Sequence, residues 1–153
     1  MAGILIIAHA PLATALRDCV MHIYGNLSAR IGTLDVLPDS DSAQILAQAH
    51  AEIKRLREEN GVLVLTDLFG ATPANIATHL ATLSQVSVLA GANLSMLVCA
   101  ACYLARPLDV LVEKVLAGAQ KGIHVIGPDT SPPQAPCDNG CLPGAMPTGA
   151  KKS

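Results

Sequence analysis

Three short runs of Val, Ile and Leu limit what this chain can fold into more than any other feature of its sequence. They cover residues 3–8, 62–66 and 86–90, and they contain almost no polar side chains. A strand needs such an unbroken apolar sequence when helices cover both of its faces, which is typical of parallel sheets. A fourth and more mixed run, residues 31–37, indicates an edge strand.

Between the runs, apolar residues recur every three or four positions, a spacing that is typical of amphipathic helices. The first helical pattern begins at Leu12, and the second follows Asp41, a residue type that often caps a helix. Thr72 precedes a proline and is therefore the expected N-cap of a third helix. Residues 94–104 and 107–119 predict two further helices.

The alternation of strands and helices indicates right-handed βαβ units around one parallel sheet. We therefore predict a single α/β domain over residues 1–126, doubly wound in the strand order 2-1-3-4, with a mainly parallel sheet and helices on both faces. An apolar piece at residues 122–126 is expected to add a short closing strand. Residues 127–153 contain six prolines and no periodic pattern, so we predict a disordered tail there.

The composition excludes some classes of function. The net charge is −2, only 14% of the 153 residues are charged, and 2% are aromatic. Nucleic-acid binding needs a basic patch and often stacking aromatics, so it is not expected. The apolar stretch at residues 86–105 is interrupted by the turn signal Gly91-Ala92-Asn93, and no Lys or Arg precedes the apolar start of the chain. We therefore expect a cytoplasmic protein that meets a membrane only indirectly.

The five cysteines leave one alternative open. Cys99 and Cys102 form a Cys-x-x-Cys pair, and Cys137 and Cys141 form a second close pair. Zinc and redox sites can use such spacings. The first pair lies in an apolar helical pattern and the second in the Pro-rich segment, so core packing is the favoured interpretation for Cys99 and Cys102. We expect neither a metal nor a cofactor.

Two polar residues follow the strands that the predicted order makes neighbours. His9 comes directly after the first strand and Asp67 directly after the third. In open parallel sheets, ligands bind beyond the carboxyl ends of the strands where the strand order reverses. In the order 2-1-3-4 this point lies between strands one and three, so we expect the two side chains to face each other there. The plainer alternatives are a hydrogen-bonded surface histidine and an aspartate that only shapes a turn.

The start of the first helix indicates an anion site. Pro11 suits the first helical position, which makes Ala10 the N-cap, and alanine has no side-chain acceptor. The amides of Leu12 and Ala13 would then be free donors at the positive end of the helix. We therefore predict that Ala10, Leu12 and Ala13 bind a phosphoryl group. A histidine beside free donors, with a carboxylate behind it, is suited to accept a phosphoryl group.

The loop after the third strand supplies further candidates. Gly70 and Ala71 would offer backbone amides to the phosphoryl oxygens, and Thr72 would offer a hydroxyl. The cap role alone also explains Thr72, and the two roles are compatible.

At these residues the sequence resembles the mannose-type enzyme IIA of the bacterial phosphoenolpyruvate-dependent sugar phosphotransferase system. The matching stretches are GILIIAHAPLA, GVLVLTDLFGATPAN and VLAGANLSML, which keep their order and spacing over roughly residues 2–126. The chain departs from many members by having Ala10 where they have glycine. It also has GATPAN in place of the commoner GGSPFN.

The resemblance implies a flavodoxin-like fold and a homodimer that exchanges a C-terminal strand, here residues 122–126. It also implies that His9 accepts a phosphoryl group from the histidine phosphocarrier protein, through the ring nitrogen remote from Asp67. The group would pass to an enzyme IIB that serves sugar uptake through a membrane permease. Asp67 would orient the ring, Thr72 would contact the phosphoryl group, and Phe69 would lie at a docking surface.

The resemblance also leaves alternatives. A Pro-rich segment stands where other members have a linker to a IIB domain, so the acceptor is expected to be a separate chain. Two other roles stay open. One is a regulatory phosphohistidine protein of a system without sugar transport, and the other is the phosphotransfer subunit of dihydroxyacetone kinase.

Overall fold

The computed structural model describes residues 1–129. Its centre is a four-stranded, fully parallel sheet in the strand order β2-β1-β3-β4. The strands are β1 (Gly3–His9), β2 (Ile31–Val36), β3 (Val62–Thr66) and β4 (Val86–Ala90). These are the four apolar runs of the sequence, and the predicted order 2-1-3-4 is confirmed.

Helices cover both faces of the sheet. In the part of the chain that the structure describes, they are α1 (Leu12–Tyr24), α2 (Ser42–Leu56), α3 (Thr72–Leu80), α4 (Leu94–Tyr103) and α5 (Leu108–Lys121). One cluster of buried residues lies between the sheet and α1, α4 and α5, and a second lies between the sheet and α2 and α3. The predicted α/β architecture is therefore confirmed. None of these helices has the length and apolar character needed to cross a membrane.

The alternation of side chains along β1 explains the two cores. Ile4 and Ile6 pack under α1, α4 and α5, whereas Leu5 and Ile7 pack under α2 and α3. All four are fully buried. Neighbouring residues of a strand point to opposite faces, so a strand is apolar at every position only when both faces are covered. The two most continuous apolar runs accordingly form β1 and β3, the central strands.

The register of β1 and β3 brings His9 and Asp67 to the same edge of the sheet. Ile7 pairs with Thr66, so His9 lies two residues beyond this pair on β1 and Asp67 one residue beyond it on β3. Both residues emerge at the carboxyl edge of the sheet, on neighbouring strands, where the strand order reverses.

The N-cap of the first helix lies one residue later than the sequence predicts. Pro11, and not Ala10, is the N-cap of α1, and its carbonyl accepts the hydrogen bond from the Ala15 amide at 3.0 Å. Ala10 donates its own amide to the carbonyl of Val36 at 3.0 Å. This bond extends the pairing of β1 with β2 past His9, which keeps Ala10 at the sheet and moves the helix start forward.

The prediction that Thr72 caps the third helix is wrong. Ala71 is the N-cap of α3, with extended backbone angles (φ −87°, ψ 171°), and Thr72 is the first helical residue. The carbonyl of Ala71 accepts the hydrogen bond from the Asn75 amide at 2.9 Å. The turn that precedes α3 places Ala71 in this position, which frees the side chain of Thr72 from a capping role.

Residues 122–126 do not form the predicted closing strand within the chain. They are irregular, and the exposed fractions of the three large apolar side chains of this segment lie between 76% and 87%. A strand needs a second backbone that satisfies its amides and carbonyls, and within residues 1–129 this segment has no neighbouring strand. The homodimer stays a prediction. Residues 130–153, most of the predicted tail with Cys137 and Cys141, lie outside the described residues.

Candidate functional site

The side chains of His9 and Asp67 are in direct contact. The Nδ1 atom of His9 lies 2.7 Å from Oδ2 of Asp67, and the backbone amide of His9 donates to the same oxygen at 2.9 Å. The imidazole is 54% exposed, whereas the carboxylate is only 11% exposed. With Nδ1 occupied by the carboxylate, Nε2 is the ring nitrogen that a visiting group can reach.

Asp67 is held in its ionised form. Partial burial raises the pKa of this carboxyl, but hydrogen bonds from the His9 amide, the His9 ring and the Leu68 amide outweigh burial and bring the pKa below its ordinary value. The Leu68 amide donates to Oδ1 at 2.7 Å. An ionised carboxylate only accepts hydrogen bonds, so it keeps the ring proton on Nδ1 and leaves the lone pair of Nε2 free.

The N-terminus of α1, three residues beyond His9, presents free amides. No side chain of its own N-cap covers it. Among the described residues, the amides of Leu12 and Ala13 have no hydrogen-bond partner, whereas the amide of Ala10 is occupied by the Val36 carbonyl. Two of the three residues predicted to bind a phosphoryl group here therefore have an amide to offer, and Ala10 does not.

Asp35 of β2 binds Thr14, the third residue of α1. The sequence does not predict Asp35 as a residue of the site. Its Oδ1 accepts a hydrogen bond from the Thr14 amide at 3.2 Å, and its Oδ2 accepts one from the Thr14 hydroxyl. This amide is the one that the side chain of an N-cap residue often takes. The available signal is the single acidic residue of the more mixed run at residues 31–37, but the sequence does not show which helix it reaches.

The loop after β3 carries the remaining predicted residues. Gly70 has a φ of 84°, a conformation that favours glycine, and the amide of Ala71 closes a turn onto the carbonyl of Leu68 at 3.2 Å. The amide of Ala71 is therefore not free for an anion. The Gly70 amide and the exposed Thr72 hydroxyl have no hydrogen-bond partner within residues 1–129.

Large exposed apolar side chains follow all four strands at this edge of the sheet. Leu12 follows β1, Leu37 follows β2, Leu68 and Phe69 follow β3, and Leu94 follows β4. We call these five residues the apolar rim. Phe69 is 87% exposed and Leu68 is 63% exposed. Exposed apolar side chains at the same edge of the sheet make this edge a candidate surface for contact with another macromolecule.

The side chain of His9 is more than half exposed. A cavity of about 360 Å³ opens between α2 and α3 and is lined by residues that include Thr72 and His79, but neither His9 nor Asp67 lines it. Small substrates usually bind in clefts that enclose most of their surface. A nucleophile on a side chain as exposed as that of His9 is suited to a reactive group that another protein presents.

The two cysteines of the Cys-x-x-Cys pair pack in or against the core. Cys99 is fully buried, and Cys102 is half-buried with its sulfur 3.3 Å from the hydroxyl of Tyr24. Both placements agree with the packing role expected from the sequence. Within the described residues, no group of His, Cys, Asp and Glu side chains is arranged to hold a metal ion.

The chain is similar to known proteins of one family. The family model described as EIIA-man, PTS system fructose IIA component, matches residues 3–116. The PTS system mannose-specific EIIAB component of Escherichia coli (strain K12) is 28% identical over 126 residues, which is 79% of this chain. The chain spans only 38% of the length of that relative.

Solved structures share the fold described above. The mannose/sorbose specific IIA subunit of the phosphotransferase system from Enterococcus faecalis has a TM-score of 0.74 and 26% identity, over 85% of this chain and 98% of that chain. The phosphotransferase system component EIIA from Streptococcus agalactiae has a TM-score of 0.70 and 27% identity, over 82% of this chain and 97% of that chain.

Proposed function

We propose that this chain, which belongs to the mannose-type enzyme IIA family of the sugar phosphotransferase system, carries a phosphoryl group on Nε2 of His9. The donor is the phosphorylated histidine phosphocarrier protein, and the acceptor is an enzyme IIB that serves sugar uptake through a membrane permease. The observation that carries this proposal is the contact between Nδ1 of His9 and Asp67, because a carboxylate that accepts a hydrogen bond from Nδ1 leaves Nε2 as the ring nitrogen that can attack.

The transfer needs no external base. The lone pair of Nε2 attacks the phosphorus atom, a new N–P bond forms on His9, and the N–P bond of the donor phosphohistidine breaks, returning its electron pair to the donor ring. The phosphorylated ring of His9 keeps its proton on Nδ1 and becomes positively charged. The carboxylate of Asp67, 2.7 Å away, stabilises this charge, as the aspartate of a catalytic triad stabilises an imidazolium.

Backbone amides and one hydroxyl are proposed to hold the phosphoryl oxygens. The free amides of Leu12 and Ala13 lie at the positive end of α1, where an anion is stabilised by the aligned peptide dipoles. The Gly70 amide and the Thr72 hydroxyl approach from the loop after β3. None of these groups carries a charge, so the phosphoryl group is held without an ion pair that would oppose its onward transfer.

The apolar rim is proposed as the surface on which both partner proteins dock. Its residues follow each of the four strands at the edge of the sheet where His9 lies, and Phe69 is its most exposed member. Donor and acceptor must each reach the same nitrogen, so they use this surface in turn and not together. Apolar contacts suit such an exchange because they do not fix one partner through specific charge pairs.

The test is phosphorylation by purified partners. The chain is incubated with phosphoenolpyruvate, enzyme I and the histidine phosphocarrier protein, and we expect a phosphoprotein that is labile in acid and stable in alkali. His9→Ala should abolish the label, whereas His22→Ala, which removes an exposed histidine from the last turn of α1, should label as the wild type does. Full labelling of His9→Ala would refute the proposal.

A further inference from the structure

The segment that carries His9 is fastened to β2 at both of its ends. Before the turn, the Ala10 amide donates to the carbonyl of Val36 at 3.0 Å. After the turn, Thr14 donates its amide and its hydroxyl to Asp35, the residue that pairs with Ala8 across the sheet. The turn between β1 and α1 therefore cannot shift along the sheet unless these bonds break.

Asp35 takes the place of a missing helix cap. The N-cap of α1 is Pro11, which has no side-chain acceptor, and Asp35 supplies the oxygen from a different strand. It binds only the third amide of the helix, so the amides of Leu12 and Ala13 stay free. Among the described residues Asp35 forms no ion pair. Its hydrogen bonds go to the amide and the hydroxyl of Thr14, in the first turn of α1.

We infer that Asp35 is a positioning residue for phosphoryl transfer, which sets the distance between the free amides of Leu12 and Ala13 and Nε2 of His9. This inference rests on the proposed function of His9. Asp67 orients the ring from β3, and Asp35 orients the helix amides from β2, so the nucleophile and the oxygen-binding donors are fixed by different neighbours of β1. Displacements of about 1 Å in such an arrangement can cost a hundredfold in rate.

The test uses a phosphoryl donor that needs no partner protein. Phosphoramidate transfers its phosphoryl group to histidine: its P–N bond breaks, a new N–P bond forms on the ring, and ammonia leaves. We expect the ¹H–¹⁵N signals of Leu12 and Ala13 to move downfield when His9 is phosphorylated in this way. Asp35→Ala should lose this response and should slow transfer from the phosphocarrier protein by about tenfold or more.

Three further variants separate positioning from stability and from charge. In Asp35→Asn the side-chain oxygen still accepts from the Thr14 amide, and the NH2 group donates to the Thr14 hydroxyl, so the second bond reverses its direction. This variant should retain the amide response and transfer within about twofold of the wild type. Asp41→Ala removes an equivalent capping carboxylate from α2, where Asp41 accepts the Ala43 amide at 3.0 Å. It should lower stability as Asp35→Ala does but leave the response intact. Thr14→Val loses only the hydrogen bond from the hydroxyl, so it should show a partial loss of the amide response. This variant still tests the inference if Asp35→Ala does not fold.

The outcomes are distinct. A normal amide response in Asp35→Ala, with a loss of stability like that of Asp41→Ala, would overturn the inference and leave Asp35 as a helix cap. An Asp35→Asn variant as impaired as Asp35→Ala would also overturn it, because charge and not position would then matter. If the wild type takes no phosphoryl group from the phosphocarrier protein but shows the Asp35-dependent response to phosphoramidate, the positioning role stands and the proposed function fails.

Discussion

Oδ2 of Asp67 accepts two hydrogen bonds from the same residue, one from the ring nitrogen Nδ1 of His9 at 2.7 Å and one from the backbone amide of His9 at 2.9 Å. The hydrogen bond from the backbone amide ties the carboxylate to the main chain of β1. The main chain cannot rotate away as a side chain can. The ring is then oriented by the fold and not by the arrival of a partner. Such preorganisation removes an entropic cost from the transfer step.

The first prediction concerns Asp67→Asn. The amide group of asparagine can donate to Nδ1, which favours the ring tautomer with its proton on Nε2 and blocks the nucleophile. The loss of a charged hydrogen bond of about 1.5–3 kcal/mol corresponds to a transfer rate lower by about ten- to hundredfold. Quantified labelling over time measures the rate, with Asp18→Asn on the exposed face of α1 as the control. An unchanged rate would show that Asp67 only shapes the turn.

The second prediction concerns pH. The ordinary pKa of Asp67 is 3.8; burial raises it, and the hydrogen bonds from His9 and Leu68 lower it by more. A carboxyl with a lowered folded-state pKa contributes stability that is complete above its ordinary pKa and is lost as the pH falls through the lowered value. The wild type should therefore lose its advantage in unfolding free energy over Asp67→Asn below about pH 4. Urea unfolding at a series of pH values measures this, and a difference that stays constant into acid would contradict it.

Hydrophobic patterning predicted most of the fold because the sheet is covered on both faces. Residues 3–8 of β1 and 62–65 of β3 are apolar at every position for that reason. The order of these central strands then places His9 beside Asp67. This part of the site follows from topology alone. No side-chain detail is needed, since the carboxyl ends of neighbouring parallel strands lie together.

The details that the sequence missed depend on contacts between distant segments. Ala10 pairs with β2, which moves the start of α1, and Asp35 reaches Thr14 across the sheet. Local capping rules consider only the residues next to a helix, so they assigned the cap to Ala10 and overlooked Asp35. Thr72 was misassigned for a similar reason, because a turn closed by Ala71 decides where α3 begins.

The third prediction concerns Thr66, directly before Asp67. Its hydroxyl is buried, with 1% of the residue exposed, and has no hydrogen-bond partner among the described residues. Thr66→Val replaces the hydroxyl with a methyl group of similar size, which should stabilise the fold by about 1 kcal/mol and raise Tm by about 2–4 °C. Thr78→Val is the control for a threonine whose hydroxyl is already bonded: this hydroxyl donates to the Ala74 carbonyl at 2.8 Å, so no gain is expected. A lower Tm for Thr66→Val would show that the hydroxyl has a partner, such as a buried water.

The fourth prediction concerns the apolar rim. Phe69 is 87% exposed, so Phe69→Ala should change the unfolding free energy by less than about 0.5 kcal/mol. If the rim receives the phosphocarrier protein, the same variant should raise KM for that donor several-fold while chemical labelling by phosphoramidate proceeds as in the wild type. Leu116→Ala, which removes a 45% exposed leucine from α5, should leave KM unchanged. Equal KM values for Phe69→Ala and the wild type would contradict the prediction and show that Phe69 does not anchor the docked partner, since a few side chains, often aromatic, supply most of the binding energy of an interface.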